Sequence, residues 1–165
     1  MQQRSLTPWL AQAFLISMKY EEYLEQYGTL TYRNVGTSML PLIKQGRDLF
    51  TITKKGEERC KKYDVVLYRR PPEQYVLHRI IKVRPNDYVI LGDNCVKKEY
   101  GITDADILGV MTGFMHKGKN YTCEAFWYKA YSRIWVAFTP VRILAKRSIW
   151  WAKRTVKKMI GKNTK

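Results

Sequence analysis

The sequence predicts a mostly-β domain of antiparallel strands, a coiled sandwich or barrel, with helices on both sides of it. Two observations carry this. Between about Leu30 and Phe114 the apolar residues fall in short, β-branched runs separated by turn residues. Before Gly28 and after Gly118 they instead step by three or four, the period of a helix. A third observation bounds the count of domains: 165 residues with a 45% hydrophobic fraction suffice for one core and would be cramped as two.

Taken in order, residues 5–27 predict an amphipathic helix, with Leu6, Leu10, Ala13, Phe14, Met18 and Leu24 at helical spacing. Pro8 suits its first turn and Gly28 its end. Strands follow at Leu49–Thr53, which alternates, at Asp64–Tyr68, at the long run Tyr75–Val83, at Tyr88–Leu91 and at Ile107–Met111. Lys55-Gly56, Pro71-Pro72, Pro85-Asn86-Asp87 and Gly92-Asp93-Asn94 are the turn signals between them. From about Tyr121 to Ile160 the helical period returns, and Pro140 should kink or split that segment. The organisation expected is a helical segment over 1–28, a β-domain over 29–118 and a basic aromatic helical tail over 119–165.

Charge is distributed unevenly. The net charge is +16, and residues 117–165 hold 13 Lys and Arg against the single acid Glu124. Such a tail points to an anionic partner, and a basic face carrying Trp127, Trp135, Trp150 and Trp151 suits the headgroup region of an anionic bilayer. Residues 121–165 are therefore expected to be an interfacial anchor, and no motif calls for a specific nucleic acid. No apolar run reaches the ~20 residues a spanning helix needs, and no signal-peptide pattern opens the chain. A cytoplasmic protein held peripherally at a membrane is the expectation. Cys60, Cys95 and Cys123 lack metal-ligand spacing and read as structural thiols, and no metal or cofactor is expected. His116, Cys95 and the Pro71-Pro72 pair read as structure or surface.

Three short segments carry chemistry. In Val35-Gly36-Thr37-Ser38-Met39-Leu40-Pro41, a serine follows a glycine turn and precedes a proline, so its backbone can be held rigidly. His78 lies within a strand-like run, and a neutral imidazole is the usual base for a serine nucleophile. Asp93 sits in a Gly-Asp-Asn turn from which a carboxylate could fix an imidazole tautomer.

Together these resemble type I signal peptidases. Gly36–Pro41 is similar to the nucleophile box, Gly46-Arg47-Asp48-Leu49-Phe50 to the strand after it, and Tyr63–Tyr68 to the Gly-Asp-Val-Val segment. His78–Ile81 is similar to the base box, and Gly92–Asn94 and Ile107–Val110 to the last two boxes. The likeness covers roughly residues 30–112, in family order. His78 stands where the common bacterial enzymes have lysine, as in the archaeal, endoplasmic-reticulum and sporulation-type branch. The resemblance implies the signal-peptidase type of β-fold and a serine endopeptidase acting on a precursor peptide or preprotein. Ser38 would be its nucleophile and His78 its base, with Asp93 orienting His78, or Asp104 or Asp106 in its place. Gly36, Thr37, Met39 and Pro41 would frame the nucleophile loop, and the Ser38 backbone N–H would hold the oxyanion. The chain departs from the family in lacking a spanning helix before the serine box, in Tyr63 where glycine is usual and in Arg47 within the Gly-Asp pair. Two other classes stay open: a self-cleaving regulator of the LexA-like class, and a basic membrane- or nucleic-acid-binding module without activity.

Overall fold

The computed structural model describes residues 19–162, with side chains as far as Thr155. Helix α1 (Tyr20–Tyr27) precedes eight strands: β1 (Thr29–Arg33), β2 (Leu49–Lys54), β3 (Val65–Arg70), β4 (Gln74–Val83), β5 (Tyr88–Leu91), β6 (Glu99–Ile102), β7 (Ile107–His116) and β8 (Lys119–Thr122). Helices α2 (Phe126–Ala137) and α3 (Thr139–Lys162) follow. The part of the expected first helix before Lys19 lies outside the described residues.

All strand pairs are antiparallel, and they form one open sheet in the order β1-β2-β7-β3-β4-β5-β6, with β8 on β7. Over the described residues the fold is thus mostly β with three α-helices. β3 is the spine. Successive strand residues point to opposite faces, and in β3 both faces are buried: Val65 and Leu67 join one core, Val66 and Tyr68 the other. The first core is closed by Tyr23 and Leu24 of α1, by Met39, Leu42 and Ile43 of the loop after β1, and by Tyr128 of α2. The second gathers Cys60, Ile80, Tyr88, Ile90, Ile102 and Ile107. Along β4, Leu77 belongs to the first and Ile80 to the second.

The start of the last helical stretch differs from expectation. Lys117 and Gly118 both take positive φ, at 51° and 77°, which is the backbone of a two-residue hairpin turn. That turn pairs His116 with Lys119, so residues 119–122 extend the sheet and the helix starts only at Phe126. The split near Pro140 is present: α2 stops at Ala137, and Pro140 occupies the first turn of α3, where its missing N–H costs no bond. Among the described residues no helix is long and apolar enough to cross a membrane.

Candidate active site

The loop carrying Ser38 runs from the end of β1 to the start of β2. Gly36 takes φ +93°, a conformation that side chains disfavour, and turns the chain toward Ser38. Asn34, buried, donates its side-chain N–H to the Gly36 carbonyl at 3.0 Å. Met39 and Ile43 are fully buried and anchor the far side of the loop, while Thr37 and Pro41 remain exposed. The Gly92–Asn94 turn braces the loop from across the sheet. The Asn94 backbone N–H donates to the Ser38 carbonyl at 2.7 Å, and its side-chain amide to the Thr37 carbonyl at 3.1 Å. Half-buried Ser38 is thereby fixed by its neighbours' backbone on both sides.

Ser38 and His78 line one cleft of ≈ 700 Å³, together with Gln74, Tyr75, Asn94 and Cys95 among others. His78 is buried within β4. Its Nδ1 lies 3.2 Å from the Tyr68 hydroxyl and 3.2 Å from Glu99 Oε1. Arg70 pairs with the same Glu99 oxygen at 3.1 Å and holds that carboxylate in place. The other edge of the ring faces Gly92, where a Cβ would stand only 2.8 Å from Nε2. Burial pushes the His78 pKa down, and nearby Arg70 adds to that while Glu99 opposes it. The ring is therefore kept neutral at neutral pH, as a general base requires. Burial, followed by the Glu99 charge, pushes the Tyr68 phenol up, so it remains a phenol.

Asp93 does not orient His78. Its carboxylate grips the buried Arg79 guanidinium at 2.8 and 2.7 Å. The same Arg79 donates to the Tyr63 carbonyl at 3.0 Å and to Ser132 Oγ at 2.8 Å. The reason is the pleat: His78 and Arg79 are successive strand residues and face opposite sides of the sheet. Asp93 reaches the Arg79 side, under α2, whereas Glu99 reaches His78. Asp104 and Asp106 are engaged elsewhere, Asp104 with the Tyr88 hydroxyl at 2.6 Å and Arg59 at 3.1 Å, Asp106 with Thr103. Glu99 carries no local signal in the sequence. It enters through β6, a short strand whose register places it opposite Ile90.

Cys95, read from the sequence as structural, is also part of the cleft. The Gly92 Cβ position lies 2.7 Å from its Sγ and 2.8 Å from His78 Nε2, so thiol and imidazole are close neighbours. Burial pushes this thiol up, and the Lys146 charge opposes that. His116 has a structural role: it bonds the buried Asp48 carboxylate at 3.0 Å, beside Arg47. With the Lys44 N–H, these partners hold the Asp48 pKa well below the usual carboxylate range against its burial.

Two helical elements reach the same turn. From α2, Trp135 Nε1 donates to the Asp93 carbonyl at 3.1 Å. From α3, Arg142 donates to that carbonyl, and Lys146 to the carbonyl and side-chain oxygens of Asn94. Trp135 thus faces the domain, unlike the headgroup role expected of it, and Trp127 packs edge-on against Tyr121 and Phe114. Among the described residues no cluster of His, Cys, Asp and Glu is arranged to hold a metal ion. No protein-family model, curated protein or solved structure matches the chain.

Proposed function

We infer that this chain is a serine endopeptidase of the signal-peptidase type, which cuts a leader or signal segment from a precursor. The observation that carries the reading is the shared cleft: it is lined both by a serine on a braced loop and by a buried, neutral histidine whose Nδ1 lies 3.2 Å from a carboxylate. Glu99, 3.2 Å from Nδ1, favours a proton on that nitrogen, which leaves the Nε2 lone pair for the nucleophile. Ser38 Oγ attacks the scissile carbonyl as His78 takes its proton. The proton then passes to the departing amine, and water, activated by the same imidazole, releases the acyl group. The Ser38 backbone N–H holds the oxyanion. The open antiparallel sheet is, on this reading, the coiled β-fold of that family.

The strand pairing supports a peptide substrate. β4 pairs with β3 from Gln74 to Arg79, but its pairing with β5 covers only Arg79 to Val83. Among the described residues, the β5-side edge of Gln74–His78 therefore carries no strand, and these residues line the cleft. An extended peptide added to that edge would run directly to His78. The test is incubation of the full chain with a diverse synthetic peptide library, read by mass spectrometry. Defined cleavage is expected, abolished by Ser38→Ala and by His78→Ala. Cleavage that survives Ser38→Ala, or none across the library, overturns the reading.

A further inference from the structure

We propose that the outward face of α3 docks on an anionic lipid bilayer, with the helix lying in the headgroup layer. Helical spacing places Val141, Leu144, Ala145, Ser148, Trp151 and Ala152 on one face. All six are exposed, and the large ones strongly so: Val141 by 59%, Leu144 by 65% and Trp151 by 69%. That face holds no charged residue. The opposite side of the helix is the one that meets the domain, through Arg142 and Lys146 on the Asp93 and Asn94 carbonyls and through Arg142 stacked 4.4 Å over Trp135. The apolar face consequently points away from the protein. Ile134 of α2 and Phe138 at its junction with α3 are exposed as well.

Charge selects the occupant. Thr139–Lys162 contains eight Lys and Arg and no acid, within a chain of net charge +16. A second copy of this helix would meet like charge. A nucleic acid would need the cations at the centre of the contact, whereas here they flank an uncharged centre, with Arg147 and Arg154 beside the apolar stripe. Apolar residues in the middle and cations at the margins suit a helix sunk roughly 5–10 Å into the boundary between headgroups and acyl chains. Each cation at an anionic surface then adds about 1 kcal/mol, screened beyond a Debye length. Val96 lines both the candidate cleft and a neighbouring apolar pocket formed with Lys146, Ile149 and Trp150. This inference does not depend on the chemistry of the cleft.

The experiment is flotation of the full chain with vesicles of phosphatidylcholine containing about a third phosphatidylglycerol. Parallel samples use pure phosphatidylcholine, and Leu144→Glu/Trp151→Glu is compared with wild type. Wild type should float with the anionic vesicles and largely stay behind with neutral ones. The double variant should bind at least about tenfold more weakly, with its Tm unchanged because both side chains are exposed. Failure of wild type to bind anionic vesicles overturns the proposal, as does equal binding by the double variant. Light scattering that shows a dimer dissolved by the same substitutions would assign the face to a second copy and overturn it too. So would tight duplex DNA or RNA binding that these substitutions abolish while vesicle binding persists.

Discussion

Gly92→Ala tests the placement of His78 without touching a reacting group. A Cβ built at Gly92 lies 2.8 Å from His78 Nε2, 2.9 Å from Cδ2 and 2.7 Å from Cys95 Sγ. Ordinary carbon contacts begin near 3.5–4.0 Å, so the ring must retreat by roughly 0.6–1.1 Å. It has no room to retreat straight back, because Nδ1 already meets Tyr68 and Glu99 at 3.2 Å. The ring has to tip or break those contacts. A misplacement of about 1 Å costs about 10²-fold in turnover, and overpacking costs about 1–3 kcal/mol. At this size that is a fall in Tm of roughly 2–12 °C. The assay is kcat/KM on the best-cleaved library peptide, with thermal unfolding alongside. Adding Cys95→Ala removes the clash with sulfur but not the one with the ring. The double variant should therefore regain part of the Tm and little of the activity. Wild-type kcat/KM in Gly92→Ala would refute the placement of His78 as the base.

The two carboxylates near the site should separate cleanly. Asp93→Asn leaves a fully buried guanidinium without its counter-charge, so it should lose about 3–5 kcal/mol of stability, read by denaturant unfolding. Glu99→Gln should leave Tm nearly in place and lower kcat, because it removes the negative charge beside Nδ1 that stabilises the imidazolium. Since burial depresses the His78 pKa below the ordinary 6.5, kcat/KM should hold to mildly acidic pH and fall as pH drops through that lowered value. Glu99 raises this pKa, so Glu99→Gln should move the acidic limb to still lower pH, and an alkaline shift would contradict the assignment. By linkage, the stability this neutral ring contributes is complete above 6.5 and is lost as pH falls through the depressed value. Asn94→Ala removes the amide bond to Thr37 and the side-chain acceptor for Lys146, and Lys146→Met removes the other end. Each should reduce kcat, and the pair should be non-additive in a double-mutant cycle, whereas strict additivity would mean that the helix does not brace the loop.

β2, β3, β4, β5 and β7 were legible because each holds an apolar, largely β-branched run whose pattern survives any partner: Tyr75–Val83 as read became Gln74–Val83, and Tyr88–Leu91 was unchanged. β1, β6 and β8 were not, since Thr-Leu-Thr-Tyr-Arg, Glu-Tyr-Gly-Ile and Lys-Asn-Tyr-Thr are short and largely polar, and only their pairing with β2, β5 and β7 makes them strands. Ser38 and His78 could be nominated because nucleophile and base announce themselves by residue type beside turn and strand signals. The carboxylate could not. Asp93 is the acid in the conspicuous turn, but the choice between it and Glu99 is made by which face of β4 each one meets, and alternation along a strand does not say which residue of a neighbouring loop will arrive there. Cys95 was misplaced for the same reason, as its position depends on how the turn after β5 folds back toward the ring.

The buried Arg79–Asp93 pair has a consequence for the identity of the site. Sliding β4 by one residue along β3 would exchange the two faces of the strand. Arg79 would then arrive in the cleft, and His78 would be driven under α2 among Tyr128, Ser132 and the Asp93 carboxylate. An apolar residue at position 79 would tolerate that error cheaply. A guanidinium bonded to Asp93, to the Tyr63 carbonyl and to Ser132 cannot be rehoused without stranding an ion in the interior. The pair therefore works as a register pin: it admits one alignment of the strand, the one in which the residue lining the cleft with Ser38 is an imidazole.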